Sequence, residues 1–156
     1  MQLPSGQIIA GWPWVIIPDA AIVLAKTEEA KYVCFRQTKY AIEGTSLAPV
    51  GGMLESGEEA LQAAKRELLE EAGYVSDDWI RLGHFVVDPN RGVGRVDLFL
   101  ARNAHRTARP QSDDLEHQEL MILSREELEE ALLAGQFKVL SWAACIALAL
   151  QLEGIP

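Results

Sequence analysis

The stretch Gly52–Tyr74, which reads GMLESGEEALQAAKRELLEEAGY, carries the strongest pattern in the chain. Over residues 57–72 its apolar residues recur at helical spacing, which predicts a helix with one face on a core. Ser56 and Glu59 have the spacing of a capping box at the start of this helix. Gly73 suits the left-handed residue that follows a last helical turn. The sequence therefore predicts an amphipathic helix between Ser56 and Gly73.

Three glutamates of this helix, Glu67, Glu70 and Glu71, are spaced i, i+3 and i+4 and therefore project from one side. Like charges at these spacings destabilise a helix slightly, and Arg66 is expected to neutralise only one of them well, with Glu58 also within its reach. A hard cation such as Mg²⁺ would balance the excess charge, because it binds through a few carboxylates plus substrate phosphates. The alternative is an ordinary solvated acidic face, which charge runs usually form.

Stretches rich in β-branched and apolar residues lie on both sides of this helix and are predicted to be strands. They are residues 14–25, 31–37, 82–88, 95–101 and 119–123. Pro18-Asp19 interrupts the first of them and predicts a bend. Residues 38–52 are rich in turn formers and are predicted to be a loop.

Two more helices are predicted near the end of the chain. Ser124 and Glu127 form a second capping box, which opens a short helix that Gly135 ends. Ser141 is predicted to cap a last helix that is apolar nearly all round and therefore well buried. No repeat or linker interrupts the 156 residues, so we expect a single α+β domain over residues 1–156, a mixed sheet sandwiched between helices.

The composition excludes several classes of partner. The chain has 14 Lys and Arg against 23 Asp and Glu, a formal charge of −9, which argues against nucleic acid as the main partner. Its longest late apolar stretch, residues 139–152, is shorter than the ~20 residues that a membrane span needs. Cys34 and Cys145 lie in apolar runs without metal-type neighbours and are expected to be buried thiols. With no secretion signal, the sequence predicts a cytoplasmic protein without a membrane partner.

The same stretch also resembles a known family. Gly52, Glu58, Arg66-Glu67, Glu70-Glu71 and Gly73 fill every fixed position of the Nudix hydrolase signature GX5EX7REUXEEXGU, where U is a bulky aliphatic residue. Tyr74 replaces the last aliphatic residue, at a position that serves packing. The order of strands and helices resembles the whole Nudix domain, so the resemblance implies a Nudix fold.

The resemblance assigns roles to residues of the signature. It implies that Glu67, Glu70 and Glu71 bind metal ions and that the backbone carbonyl of Gly51 adds a ligand. Arg66 would orient these carboxylates as an outer-shell partner, and Glu58 would share that role. The implied cofactor is Mg²⁺, for which Mn²⁺ can substitute.

The implied reaction is attack of water on one phosphorus of a nucleoside diphosphate linked to another moiety. Metal ions would help to generate hydroxide and neutralise the phosphate oxygens. A carboxylate must accept the water proton, either Glu70 or Glu71 of the signature or a residue of the later acidic stretch 113–119, as in ADP-ribose pyrophosphatases. In that stretch Glu116 is favoured and Glu119 is next, and the alternative is a solvated acidic loop.

Two features resemble ADP-ribose pyrophosphatases in particular. Residues 36–40, RQTKY, are similar to an RQ-x-RY stretch of that subfamily, and Pro89 lies fifteen residues beyond the signature, where the subfamily carries a proline. Arg36 would pair with a phosphate and Tyr40 would pack on a base or sugar. Arg91, in the proline loop, is a further candidate phosphate contact. The alternative for each is ordinary surface.

The leading hypothesis is therefore hydrolysis of ADP-ribose or a related nucleotide sugar, with a small-molecule nucleotide as substrate. One alternative is a nucleoside triphosphate pyrophosphohydrolase, and another is a non-catalytic module that senses a nucleotide sugar. Residues 7–17, which include Trp12 and Trp14, are a candidate exposed strand. They would pair with a second copy of the chain, as in dimers of ADP-ribose pyrophosphatases, or pack within their own sheet.

Overall fold

The computed structural model describes residues 1–110 and 118–154. Within these residues the strands are β1 (Ala20–Thr27), β2 (Tyr32–Gln37), β3 (Ser46–Ala48), β4 (Val50–Met53), β5 (Tyr74–Val75), β6 (Asp78–Asp88), β7 (Val93–Arg106) and β8 (Gln118–Leu123). The helices are α1 (Ala60–Glu67), which continues directly into a π-helical turn (Leu68–Ala72), α2 (Arg125–Leu133) and α3 (Leu140–Glu153).

Strand β1 organises the mixed sheet. It runs parallel to β7, with Ala21 opposite Asp97, and antiparallel to β4, with Ala21 opposite Gly52. At its far end β1 pairs antiparallel with β2, which continues to β3 and β8. Strand β7 also pairs antiparallel with β6 along most of its length and with β5 near its end. This topology brings β4, which begins the signature, next to the centre of the sheet.

Two hydrophobic clusters cover the two faces of the sheet, because successive side chains of a strand point to opposite faces. From β1, Ile22 and Leu24 enter a cluster with α2 and α3, whereas Ala21 and Val23 enter a cluster with α1 and the π-helical turn. Each fully buried large side chain contributes roughly 1.5–3 kcal/mol of hydrophobic stabilisation. The helices on both faces confirm the predicted α+β class and the sandwiched mixed sheet.

The signature helix begins later than predicted. Its first residue is Ala60, its N-cap is Glu59 and no side chain caps it, so the capping box at Ser56 is wrong. The reason is Gly57, whose φ of +79° lies outside helical geometry and places residues 55–58 in a turn. At the other end the prediction is confirmed: Gly73 has a φ of +74°, and a Cβ there would lie 2.3 Å from the Ala108 carbonyl oxygen.

The prediction of a loop over residues 38–52 is wrong in its second half, where β3 and β4 lie. Gly51 lies within β4 and does not end the strand. A glycine suits this position because β4 approaches β1 so closely that a Cβ at Gly51 would lie 2.5 Å from the Ala21 carbonyl oxygen. Conversely, residues 12–19 form no strand, and the first strand begins only at Ala20. Pro13 and Pro18 lack the N–H that a sheet ladder requires.

The late helices confirm one capping prediction and contradict another. Ser124 Oγ accepts a hydrogen bond from the Glu127 N–H at 3.1 Å, and the Glu127 carboxylate accepts one from the Ser124 N–H at 2.7 Å. Ser141 is not a cap, because α3 begins at Leu140 after Val139. The last helix is buried on one side only, and its large apolar residues that are exposed are Leu140, Leu148 and Leu152.

Candidate active site

One cavity of about 710 Å³ collects most of the signature side chains that carry charge. Its volume lies within the roughly 300–1,000 Å³ usual for small-molecule sites. Lining residues from β4, α1 and the π-helical turn, here called the carboxylate group, are Gly51, Gly52, Arg66, Glu67, Glu70 and Glu71. Lining residues from β2, the segment after it, β8 and α3, here called the second group, are Phe35, Gln37, Lys39, Gln118, Ser141 and Trp142.

Arg66 is the hub of the carboxylate group. Its Nε and Nη2 donate to the two oxygens of Glu58 at 3.0 Å each, a bidentate pair. Its Nη1 donates to Glu67 at 2.7 Å and to Glu70 at 3.2 Å, and Nη2 also donates to the Met53 carbonyl at 3.1 Å. Arg66 therefore contacts two of the three glutamates Glu67, Glu70 and Glu71, so the expectation that it neutralises only one of them is wrong. Its predicted reach to Glu58 is confirmed.

These contacts shift the pKa values of the groups involved. The hydrogen bonds from Arg66, followed by the N–H of Glu55, hold the pKa of Glu58 below its usual value. The same bonds, led by that to Glu58, raise the pKa of Arg66, which stays protonated under all ordinary conditions. Arg66 is thus a permanent cation that fixes the positions of its carboxylate partners.

Glu67 is more enclosed than Glu70, with 12% of its side chain accessible. Burial raises its pKa above the usual value, and the contact with Arg66 opposes this effect without cancelling it. Its carboxylate lies against the α-carbon of Gly52, where a Cβ would come within 2.1 Å of Glu67 Oε1. A side chain at position 52 would therefore displace the Glu67 carboxylate from its present position.

Glu71 is tied to the other glycine of this pair. Its Oε2 accepts a hydrogen bond from the Gly51 N–H at 3.2 Å. The N–H and C=O of a residue in an antiparallel strand point to the same side. The Gly51 carbonyl therefore faces the edge of β4 on which the Glu71 carboxylate lies.

The helix changes its geometry between the carboxylates. Residues up to Glu67 are α-helical, whereas Glu70 and Glu71 lie in the π-helical turn, which Gly73 ends by donating to the Leu69 carbonyl at 2.9 Å. The positions of Glu67, Glu70 and Glu71 therefore do not follow the i, i+3, i+4 geometry of a regular α-helix. Glu70 is the more open residue, with 55% of its side chain accessible. Single π-helical turns inside α-helices occur frequently at functional sites.

The carboxylates share the cavity without converging on one point. Within residues 1–110 and 118–154, no three Asp, Glu, His or Cys side chains lie close enough together to hold a metal ion. Glu67 and Glu70 face Arg66 instead, and Glu71 faces the Gly51 N–H. Their donor atoms are all oxygen, the type that Mg²⁺ and Mn²⁺ prefer, so the set fits such an ion once the carboxylates turn from these partners.

The candidate bases outside the signature do not line this cavity as far as the structure describes them. Glu116 lies outside the described residues, as does the rest of the acidic stretch before β8. Glu119 lies on β8 and accepts a hydrogen bond from Arg36 at 3.1 Å, with both side chains about half exposed. Neither observation tests the assignment of a base, which stays a prediction.

The predicted substrate contacts lie outside the described lining of the cavity. Arg36 lines a separate cavity of about 290 Å³. Tyr40 is 89% exposed, Pro89 is exposed, and Arg91 pairs with Asp88 at 2.7 Å. Their roles stay predictions.

The second group contains the residues that sequence reasoning missed. Phe35 and Gln37 of β2 line the cavity and alternate with Arg36, and Lys39 of the segment after β2 lines it as well. Arg36 and Tyr40, the two residues that the RQTKY resemblance assigns to the substrate, are not among the lining residues. The alternation of side chains along a strand predicts that Arg36 and Gln37 point to opposite faces of the sheet. Nothing local to the sequence indicates that Trp142 of α3 lines the same cavity.

Comparisons with known proteins identify the family of this chain. The model of the NUDIX domain family matches residues 17–143. ADP-ribose pyrophosphatase of Bacillus subtilis (strain 168) is 32% identical over 132 residues, which cover 85% of this chain and 70% of that protein. The methanol dehydrogenase activator of Bacillus methanolicus is 30% identical over 132 residues, which cover 85% of this chain and 70% of that protein.

A solved structure supports the fold. The crystal structure of an ADP compounds hydrolase superposes with a TM-score of 0.75 at 19% identity and covers 87% of this chain and 74% of that one. Among the described helices of the present chain, none has the length and apolar character to cross a membrane. From the match over residues 17–143 and the intact carboxylate group, the chain belongs to the NUDIX domain family and is a pyrophosphate hydrolase.

Proposed function

We propose that the chain hydrolyses the diphosphate linkage of ADP-ribose or a related nucleotide sugar, with Mg²⁺ as cofactor. The observation that carries this proposal is a single nucleotide-sized cavity lined by Glu67, Glu70 and Glu71. The substrate class is supported by the 32% identical relative, which is an ADP-ribose pyrophosphatase.

Glu67, Glu70, Glu71 and the carbonyl of Gly51 would hold the metal. When bound, Mg²⁺ would supply Lewis-acid chemistry, neutralising phosphate oxygens and lowering the pKa of water. Mn²⁺, which takes the same oxygen ligands, is expected to substitute.

The residues of the chain then have separate tasks. Arg66 and Glu58 keep the carboxylates in position, and the N–H of Gly51 orients Glu71. The water oxygen bonds to one phosphorus as its proton passes to a carboxylate, and the bridging P–O bond breaks, which releases two phosphate monoesters. Glu70, Glu71 and Glu116 stay the candidate bases.

Lys39 is the proposed cationic contact for the substrate phosphates. Among the described residues that line the cavity, Lys39 and Arg66 are the two cations, and a charged amine in the same cavity as the glutamates is a suitable contact for a substrate phosphate. Arg36 and Arg91 stay predicted contacts that would require movement from their present ion pairs with Glu119 and Asp88.

We also propose that residues 1–156 form a single hydrolase domain, because both hydrophobic clusters pack on one sheet. A homodimer through residues 7–17 is proposed from the exposed apolar side chains of this segment, with Ile8 75% and Ile16 87% exposed. This segment packs on its own chain, since Val15 N–H donates to the Arg91 carbonyl at 2.9 Å. Sedimentation velocity tests the dimer.

The cytoplasmic location and the absence of a nucleic-acid partner stay predictions.

The experiment that tests the function is an assay with Mg²⁺ over nucleotide sugars, dinucleotides and nucleoside triphosphates, with every product identified. The proposal predicts AMP and ribose 5-phosphate from ADP-ribose, and loss of turnover when a chelator removes divalent ions. Release of inorganic pyrophosphate from a triphosphate as the fastest reaction would establish the triphosphate alternative. Nucleotide-sugar binding without turnover would establish the sensing module.

A further inference from the structure

Trp142 has a position that the hydrolysis of a diphosphate does not explain. It is the third residue of α3, its side chain is half-buried, and it lines the same cavity as the three glutamates. Among the described lining residues two are aromatic, and the other, Phe35, is only 4% exposed and belongs to the core. Trp142 is therefore the aromatic side chain with surface available to a ligand in this cavity.

The indole is held in place before any ligand binds. Trp142 packs against the hydrophobic cluster between the sheet and α3, and the next turn of the helix places Cys145 and Ile146 fully in that cluster. A large, rigid aromatic ring loses little conformational entropy when a flat partner stacks on it. The cavity thus contains a preformed stacking platform.

Polar groups suited to the edge of a heterocycle line the same cavity. Gln37 of β2 and Gln118 of β8 lie directly opposite each other in the sheet, and both line the cavity, as does Ser141. Side-chain amides carry a donor and an acceptor and can bond bidentately to adenine. An aromatic side chain and paired amides that line one cavity are the chemistry that recognises a nucleobase.

We propose that Trp142 is a specificity-determining residue on which the nucleobase of the substrate stacks, with Gln37 and Gln118 hydrogen-bonding to the edge of the base. This inference rests on the proposed function, because it assigns the nucleoside end of the same substrate. The carboxylate group then acts on the diphosphate, and the second group selects what is attached to it.

The test uses two substitutions that differ only in aromatic character. Trp142→Leu and Trp142→Phe both keep an apolar side chain against the core, but only the phenylalanine retains a face for stacking. The substrates are ADP-ribose and a diphosphate that joins two ribose units without a base. Leu140→Ala is the matched control, since Leu140 lies in the same helical turn but is 84% exposed and is not among the lining residues.

Trp142→Leu should lower kcat/KM for ADP-ribose by about 5- to 150-fold, mainly through KM, the range expected for one base–aromatic stack. It should leave the base-free substrate unchanged, and Trp142→Phe should recover most of the loss. Equal losses on both substrates would overturn the proposal, because they would mean that Trp142 contacts the sugar or only supports the fold. Unchanged turnover of ADP-ribose in Trp142→Leu would also overturn it.

Equilibrium binding of AMP without divalent ions separates this inference from the proposed function. Wild type and Trp142→Phe should bind AMP, and Trp142→Leu should bind it at least about 5-fold more weakly. If ADP-ribose is not a substrate but AMP binding still depends on the aromatic ring, the proposed function fails and the base site stands. If ADP-ribose is hydrolysed but AMP binding does not depend on Trp142, the base site fails alone.

Discussion

The carboxylate group and the second group line one cavity but are built in different ways. The carboxylate group comes from 21 consecutive residues, 51–71, and is held by polar bonds that converge on Arg66. The second group comes from separate elements that only the fold brings together: β2, the segment after it, β8 and α3. The residues proposed to carry out the reaction are therefore close together in the sequence, whereas those proposed to select the substrate are brought together only by the tertiary structure.

The largest effect is expected when a carboxylate is removed. Glu67→Gln should lower kcat by more than about 100-fold, beyond the cost of losing a residue that only orients a ligand. Burial raises the pKa of Glu67 in the folded state above its usual value of 4.5. As the pH rises above 4.5, Glu67 therefore ionises more readily in the unfolded chain than in the folded one, and the free energy of unfolding falls. The variant should therefore unfold at neutral pH at the same temperature as wild type or higher, as measured by calorimetry. Near-normal turnover would remove Glu67 from the site.

Arg66→Lys should lower kcat by about 10- to 100-fold, because lysine keeps the charge but cannot form the bidentate pair with Glu58 while also contacting Glu67. The control is Arg102→Lys, which alters a surface ion pair with Asp78 and should leave steady-state kinetics unchanged. Equal kinetics of the two variants would show that the geometry of Arg66 is not needed.

Lys39→Gln and Arg36→Gln compare a lysine of the second group with an arginine that lines the separate smaller cavity. Lys39→Gln should raise KM by about tenfold with little change in kcat, since it removes a charged partner of the phosphates. Arg36→Gln should raise KM by less than about threefold, because its exposed pair with Glu119 contributes little. The opposite order would favour Arg36, the phosphate contact that the RQTKY resemblance predicts, over Lys39, which lines the cavity.

The smallest effect concerns the pH dependence of stability. Arg66 lowers the pKa of Glu58 in the folded state, so this carboxylate contributes stability above its usual value of 4.5 and loses it as the pH falls through the lower folded value. Glu58→Gln should therefore be less stable than wild type at pH 7, and the difference should shrink at pH 3. Urea unfolding at both pH values measures it. A constant difference would mean that ionisation of Glu58 does not stabilise the fold.

Local signals predicted the parts of the molecule that depend on neighbouring residues. The capping box at Ser124 and the left-handed Gly73 are of this kind, as are the spacing of the signature and the reach of Arg66 to Glu58. The capping box at Ser56 failed although its spacing is correct, because Gly57 adopts a backbone conformation that residue types alone do not fix.

The remaining features depend on contacts between distant parts of the chain. The π-helical turn places Glu71 beside Gly51, a residue of β4, and no helical periodicity in the sequence reveals it. Gly51 and Gly52 resemble turn residues in the sequence, yet both lie in β4. Gly51 is needed because the backbone of β1 approaches it closely, and Gly52 leaves room for the Glu67 carboxylate. Trp142 reads as one more apolar residue of α3 until the cavity shows that it faces the site.

The most direct test of the carboxylate group as the centre of hydrolysis is Mg²⁺-dependent release of AMP from ADP-ribose by Glu71→Gln, compared with Glu129→Gln in α2. Glu129 pairs with Arg125 at 2.7 Å and does not line the cavity. Glu71→Gln should lose at least about 100-fold in kcat while it unfolds as cooperatively as wild type, and Glu129→Gln should be fully active. Full activity of a folded Glu71→Gln variant would contradict the assignment.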